Sequence, residues 1–352
     1  MWSWPGFRLT GHFYKVPIGI AGPLTISGKH QTGTNLFAPL ATTEPTLVAS
    51  CSRGCKAFQA SGGIRVRALQ SELSRAPLFG FLTVDDALVF LDTVPSLVPR
   101  MQLVAETTSR FAKLLRVTPH IVGAEVHLKM AFDTGDAAGQ NMVTIAAQAA
   151  CEDLLETHRE GLNVVDFSIE GQMSADKKLS TSQILEPRGT QVVAWGTVSD
   201  SICRSVLGLS AETLHLAITR TTAGAIRNSM LGNSINASNI IAAMFISCGQ
   251  DAASVLESGW AQLTSSYDHE KQETTLSLFL ASLLVGSVGG GTMYPTQREA
   301  LEMIGCAGAG KKLALAETIA AFALALDLST ISAVANDTFT TSHERLARRP
   351  KI

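Results

Sequence analysis

The chain has 352 residues, 46% of them hydrophobic and 16% charged, which is enough apolar side chain for a large buried core and enough length for two domains. A formal net charge of −2 leaves no broad positive field for nucleic acid or anionic lipid, so any anion must be held by a local site. The cysteines (Cys51, Cys55, Cys151, Cys203, Cys248, Cys306) follow no disulfide or metal spacing and the chain opens without a secretory signal, so a reducing, cytoplasmic setting and no metal are expected.

Residues 1–15 carry no clear period and read as an extension or the remnant of a longer N-terminus. From Val16, VPIGIAGPL is rich in turn-prone glycine and proline, and ATTEPTLVASCSRGCKAFQASGG then reads as a helix. Thr42 or Thr43 can cap it, Pro45 suits its first turn, and Gly62-Gly63 ends it. Glu44 sits at that helix start, where the dipole favours a carboxylate, so a capping role and an acid–base role are both open.

Between about 77 and 168 the pattern becomes strand, helix, strand, helix, strand. FGFLTV begins it, PSLVPRMQLVAETTSRFAKLLRV reads as helical, and HIVGAEVHLKMAF alternates through Val122, Ala124, Val126, Leu128 and Met130. GQNMVTIAAQAACEDLLETHR is a second helix and LNVVDFSI a closing strand. With a hairpin inside the long middle run, this matches a split βαβ unit of the ferredoxin-like kind, and so predicts a small inserted domain over 77–168. The remainder, 16–76 with 169–330, forms a larger, mostly helical domain with helices near 204–228, 237–257, 296–306 and 309–327, and 331–352 is a C-terminal flap. The fold class is therefore α+β. The apolar stretches 276–292 and 319–335 invite a membrane reading, but a glycine triplet ends the first and Asp327 interrupts the second. A buried strand-loop and a core helix fit them better, and the chain as given is expected to be soluble.

Three motifs can meet a ligand. Asp136-Ala-Ala-Gly139-Gln140-Asn141-Met142 lies where a strand gives way to a helix, so its backbone N–H groups can face a phosphate, although an ordinary turn with an aspartate cap reads the same. Thr107-Thr-Ser109-Arg110-Phe111 sets a hydroxyl beside a guanidinium on a helix, which suits phosphate recognition; a solvated arginine is the plainer alternative. Gly286-Ser-Val-Gly289-Gly290-Gly291-Thr292 permits close backbone approach, yet is neither a Walker loop nor the six-position dinucleotide fingerprint, and a tight turn needs no more. Acid–base candidates are Glu44, Asp176-Lys177-Lys178, Asp251 within an apolar run where it needs a partner, and His343 in a basic tail where a histidine is usually just exposed.

In order and wording, VPIGIAGPL, ATTEPTLVASCSRGC, TSRFAKL, GDAAGQNM, DKK followed by PRG, CGQDAA, GSVGGGT and a terminal SH-x4-R resemble the hydroxymethylglutaryl-CoA reductase family, in its eukaryotic-type class, from Val16 to about Arg348. The resemblance implies that Glu44, Lys177, Asp251 and His343 form the catalytic set. Two hydrides from two NADPH would take the thioester to a mevaldehyde level and then to mevalonate, with coenzyme A leaving in between. Lys177 would stabilise the developing oxyanion, Glu44, its proton affinity raised by Asp251, would protonate the aldehyde oxygen, and His343 would protonate the departing thiolate. The resemblance further places Ser109, Arg110 and Phe111 at the 2′-phosphate end of NADPH, Asp136, Gly139, Gln140 and Asn141 along its pyrophosphate and ribose, and Gly290 and Gly291 near the nicotinamide, with Arg348 also at the cofactor. Ser50, Ser52, Arg53 and Lys178 would serve coenzyme A and substrate, while Arg75 and Asn239 would contact the acyl carboxylate or its surroundings.

The family implies a homodimer or homotetramer with sites between subunits, and full-length members held in the endoplasmic reticulum membrane by an anchor not found in this chain. The chain departs from the family at Glu170, where a substrate-contacting serine is usual, at Gln172, and in a shortened Gly232-Asn-Ser-Ile-Asn236-Ala-Ser stretch. A carboxylate beside an anionic acyl group repels it at close range. Two readings stand: an NADPH-dependent reductase feeding isoprenoid and sterol synthesis, or a truncated or diverged relative that binds NADP(H) or pairs with a full-length reductase without efficient turnover.

Overall fold

In the computed structural model, which describes residues 15–341, the chain opens on a hairpin of β1 (Ile18–Ser27) and β2 (Thr32–Ala41), followed by α1 (Pro45–Ala60) and the long strand β3 (Ile64–Arg75). Next come β4 (Leu78–Gly80), α2 (Val84–Thr107), β5 (Lys113–Val122), β6 (Glu125–Asp133), α3 (Gln140–His158) and β7 (Asp166–Ser168). The rest comprises β8 (Gly189–Ser199), the single turn α4 (Asp200–Ile202), α5 (Ala211–Arg227), α6 (Ala237–Ser247), the short α7 (Val255–Ser258), the hairpin β9 (Ala261–Asp268) and β10 (Glu273–Leu283), then α8 (Pro295–Met303) and α9 (Lys312–Ala335).

β3 belongs to two sheets. Its residues Arg65 to Glu72 pair antiparallel with β8, while Leu73 to Arg75 pair with β6. On the β8 side the sheet continues through β10 to β9, and β1 joins the start of β3 in parallel. Helices α1, α6 and α9 close over this sheet in one hydrophobic cluster. α9 is its centre: Ala314 to Ala333 are buried on every side, as expected of a helix apolar all round. Glu317 of α9 is fully buried, and its carboxylate accepts N–H bonds from His30, Gln31 and Ala68, pinning the β1–β2 turn and β3 to the helix. The α1–α9 crossing is close because residue 54 is glycine; a Cβ there would meet Ala325 O at 1.7 Å.

The second cluster is built on strands in the order β7-β4-β6-β5, all antiparallel, with α2 and α3 packed side by side against them. The order of elements, β-α-β-β-α-β, is that of the ferredoxin-like unit. The chain is thus mixed helix and sheet, as the sequence predicts.

Several local expectations change. LLRV belongs to β5, not to the helix before it, because α2 ends at Thr107 and the chain turns through Ser109 and Phe111. Neither Thr42 nor Thr43 caps α1: Glu44 occupies that position without a side-chain cap bond, and the Thr42 hydroxyl instead accepts the Glu44 N–H. VPIGIAGPL is strand, not turn, and residues 64–75 and 189–199 are strands that helix-directed reading passes over. The expected helix 204–228 starts at Ala211 and the one at 237–257 breaks after Ser247. Residues 276–292 form β10 and a glycine loop; α2 and α9 are long and apolar enough to cross a membrane, and α9 is interred in the core. All six cysteines are free and buried, and burial raises the thiols of Cys203 and Cys248 to about 12.

Candidate functional site

The loop after β7 carries Glu170, Asp176, Lys177 and Lys178 within nine residues. Gln172, Ala175 and Lys177 all adopt positive φ, a conformation that costs non-glycine residues energy and is kept where surrounding contacts over-determine it. At Lys177 the contacts are ionic. Lys177 Nζ lies 2.8 Å from Asp251 Oδ2, and the Lys177 backbone N–H donates to Glu257 Oε2 at 3.2 Å. The hydrogen bond it donates to Asp251 holds the Lys177 ammonium above its ordinary pKa, outweighing the lowering by partial burial.

Behind that pair runs a chain of buried and half-buried charges. Glu257, fully buried on α7, meets Arg188 Nη1 at 2.8 Å; Arg188 Nη2 reaches Asp176 Oδ1 at 2.9 Å; Asp176 Oδ2 meets Arg75 Nη1 at 3.2 Å; and the same Nη1 meets Glu170 Oε2 at 3.3 Å. Burial pushes the Glu257 carboxyl upward despite the guanidinium beside it. The sequence reading missed Arg188 and Glu257 as site residues. For Arg188 a signal existed, a charge in the Pro187-Arg188-Gly189 step next to an apolar strand; for Glu257 the signal was a lone carboxylate at the end of an apolar run.

The nucleotide-type motifs meet this network. Gln140, at the first position of α3, accepts from Arg188 Nη2 at 3.4 Å and donates to Ser254 Oγ at 3.2 Å, a few residues past Asp251. The cap of α3 is Gly139 in the left-handed region with no side-chain cap bond, so the helix start has N–H groups available to an anion. Ser109, Arg110 and Phe111 lie on the bend after α2 and not on the helix as expected: the Ser109 hydroxyl accepts the Phe111 N–H at 3.1 Å, a turn that competes with helix continuation. That bend adjoins α3, with Ser109 Oγ 3.1 Å from Met142 Sδ, and leaves Arg110 and Phe111 exposed with the guanidinium 5.6 Å from the Phe111 ring.

The glycine-rich loop packs onto the CGQDAA segment backbone to backbone. A Cβ at Gly249 would fall 2.4 Å from Gly291 O, and one at Gly286 would fall 2.3 Å from Ala138 N. Gln250 locks the arrangement, accepting the Gly286 N–H at 2.8 Å and donating to Gly286 O at 3.0 Å. Gly290 is different: its φ is +53° and no atom lies within 4 Å of a Cβ built there, so its backbone faces open space. Asp136 is committed elsewhere, accepting the N–H groups of Gly310 and Lys312 at the start of α9. Asn141 is exposed on the first turn of α3.

Along α1 a groove of about 730 Å³ is lined by Ser52, Arg53, Lys56 and Gly22, and it shares Ala49 and Ser52 with a second groove of about 560 Å³ reaching Thr43 and Pro45 on either side of Glu44. Two cations in such a groove suit a phosphorylated ligand. Ser50 points the other way in its bonding, its hydroxyl 2.8 Å from that of Ser329, and Arg53 donates to Ser329 O at 2.5 Å. Lys178 folds back on Asp176 O, and Asn239 is exposed on the first turn of α6. Glu44 is exposed and accepts from the Thr46 hydroxyl at 2.8 Å; among the described residues no hydrogen bond or ion pair joins it to Lys177 or Asp251. Their segments do share an origin, since the Ser247 hydroxyl donates to Pro39 O at 2.7 Å, only a few residues before Asp251 and Glu44 respectively. His343 and Arg348 lie outside the described residues.

The sequence model of the hydroxymethylglutaryl-coenzyme A reductase family matches residues 10–348. The chain is 37% identical over 340 residues to the 3-hydroxy-3-methylglutaryl-coenzyme A reductase of Aeropyrum pernix, covering 95% of this chain and 80% of that one. It is 36% identical to the enzyme of the same name from Methanocaldococcus jannaschii, over 95% and 82% of the two chains. Among plant relatives, reductase 3 of Hevea brasiliensis is 34% identical over 96% of this chain and 58% of its own. In fold, the chain is similar to the class II 3-hydroxy-3-methylglutaryl-CoA reductase of Streptococcus pneumoniae bound to NADPH, with a TM-score of 0.72, 17% identity, and coverage of 93% and 87%.

Proposed function

Because the chain belongs to the hydroxymethylglutaryl-coenzyme A reductase family, we propose that it reduces hydroxymethylglutaryl-CoA at the junction of the Lys177–Asp251 pair with the 139–141 and 286–291 loops. The family's reaction is the NADPH-dependent conversion of this thioester to mevalonate and coenzyme A by two successive hydride transfers, a step of isoprenoid biosynthesis. Bound NADPH would supply the hydride. The residues present fit it: an uncapped helix start at Gly139, a hydroxyl and a guanidinium at Ser109 and Arg110, and an open backbone face at Gly290.

Lys177 carries the electrostatic part of the mechanism. Held by Asp251, it keeps its proton and presents a fixed cation to the oxygen on which negative charge gathers as a carbonyl takes hydride. Glu44, at the end of the α1 groove, would deliver the proton to that oxygen, and His343 would protonate the leaving thiolate. The groove beside Ser52, Arg53 and Lys56 would take coenzyme A, and Arg75 the acyl carboxylate. Since no hydrogen bond or ion pair joins Glu44 to Lys177 among the described residues, the reading includes a homodimer or dimer of dimers that completes each site. The observation that carries the assignment is the Lys177–Asp251 pair beside the glycine loops. Loss of substrate-dependent NADPH oxidation in Lys177→Ala and Glu44→Gln tests it; full activity in either would remove that residue from the mechanism.

A second reading, a relative that binds nucleotide or pairs with a full-length reductase with little turnover, is favoured by one observation: Arg75 is already paired with Glu170 and Asp176.

A further inference from the structure

Glu170 sits in a cradle built for a carboxylate. Its Oε2 accepts from the Ser174 hydroxyl at 2.7 Å, from Arg75 Nη1 at 3.3 Å and from the Ala76 backbone N–H at 3.3 Å. A guanidinium, a hydroxyl and a main-chain N–H converging on one oxygen are what an anionic ligand needs. Arg75 is a deeply buried side chain, 9% exposed, and its Nε and Glu170 Oε1 have no hydrogen-bond partner, so the pair is imperfectly satisfied as it stands. The charge count points the same way: two guanidinia, Arg75 and Arg188, serve three carboxylates, Glu170, Asp176 and Glu257. A further carboxylate entering here would meet an Arg75 guanidinium that already holds two, Glu170 and Asp176.

We propose that Glu170 is a tethered competitor for the acyl carboxylate, a specificity-determining residue that occupies the anion cradle at Arg75. The inference rests on the reading of Arg75 as the acyl-carboxylate contact. Glu170 is not a catalytic group. It acts before the chemistry, because an acyl-CoA with a free distal carboxylate must displace it, whereas one ending in a neutral amide has no charge to be repelled and can leave the Glu170–Arg75 pair in place. The chain therefore discriminates less in favour of hydroxymethylglutaryl-CoA over a neutral analogue than a pocket with an unpaired arginine would, and the effect falls on KM.

The test compares the full chain with Glu170→Ser and Glu170→Gln, using hydroxymethylglutaryl-CoA and its distal-amide analogue, by steady-state NADPH oxidation and by calorimetric binding of each acyl-CoA. Glu170→Ser is expected to lower the KM and the dissociation constant for hydroxymethylglutaryl-CoA by about tenfold or more, the scale of one charged hydrogen bond. The amide analogue should gain little. Glu170→Gln, which keeps the shape and removes the charge, should lie in between, and adding Arg75→Ala to Glu170→Ser should abolish the gain. Turnover with no tightening for hydroxymethylglutaryl-CoA in either variant would overturn the competitor role while leaving the reductase reading intact. Tightening without turnover would support the competitor and count against the reductase reading. Equal gains for acid and amide would show that Glu170 acts by bulk, and overturn it too.

Discussion

Lys177 Nζ and Asp251 Oδ2 stand 2.8 Å apart, joining a loop held in the left-handed region to the segment that follows the apolar helix α6. Both side chains are substantially exposed, 42% and 44%, so this ion pair adds little to stability. Its geometry instead fixes where one positive charge points. Lys177→Ala is expected to reduce kcat for NADPH oxidation by about a hundredfold or more, the range for loss of an oxyanion donor, with the melting temperature nearly unchanged. Asp251→Asn should be milder, since the lysine keeps its charge but loses its anchor. A Lys177→Ala protein with wild-type kcat would place the chemistry elsewhere.

Arg110 is expected to set cofactor choice. It is exposed on the bend beside α3 and free to meet a 2′-phosphate. Arg110→Ala should lower kcat/KM with NADPH about tenfold or more and leave NADH, which has no such phosphate, almost unaffected. An unchanged preference would move the phosphate contact to another residue.

The Arg188–Glu257 pair is structural as well as local to the site. With side-chain exposures of 1% and 0%, removing one partner strands a buried charge, and Arg188→Met or Glu257→Leu should each cost about 3–5 kcal/mol by urea unfolding. The double variant should cost less than the two singles added together, because neither charge is then left alone. Strict additivity would mean that the two side chains act independently.

Asp327 gives the fold a pH dependence. It is fully buried on α9, accepts the N–H groups of Ile235 and Asn236, and burial raises its carboxyl to about 7 from 3.8. The folded chain therefore binds a proton that the unfolded chain releases, and this stabilisation is fully present below about pH 4 and lost as pH rises towards 7. At roughly 1.4 kcal/mol per unit the change over that window is at most about 4 kcal/mol. In Asp327→Asn this component of the slope should vanish, so the variant's stability should depend less on pH between 4 and 7. An unaltered slope would show that another group is responsible.

Gly54 tests the α1–α9 crossing. Its missing Cβ lies where the Ala325 carbonyl passes, so Gly54→Ala must push two central helices apart despite alanine's better helix propensity. A loss of about 1–3 kcal/mol is expected, readable as a lower denaturation midpoint. A stabilised variant would show that the crossing is slack.

Long periodic segments were legible from the sequence. α1 and α3, the βαββαβ order of the smaller core and the centrality of α9 follow from apolar spacing, glycine stops and proline at a first turn, because those signals act over a few neighbouring residues. β10 was expected as a buried strand, whereas β8 was passed over: its burial alternates with period two only once the fold supplies the buried face, and an apolar run of that length reads equally as helix. Glu44, Lys177, Asp251 and the glycine motifs were named from local wording alone.

The sequence by itself determined the ordered motifs, and with them the family, along with the composition that permits two cores. Only the tertiary structure decided what each motif touches. Ser109 came off its helix because its hydroxyl finds the Phe111 N–H, Asp136 turned to the start of α9, and Glu170 reached Arg75 from a loop far along the chain. The last two contacts join residues widely separated in sequence, where no periodicity links the partners. Which carboxylate a buried guanidinium takes is settled by the low-dielectric space the fold encloses, where an unpaired charge is costly and the nearest well-placed oxygen wins.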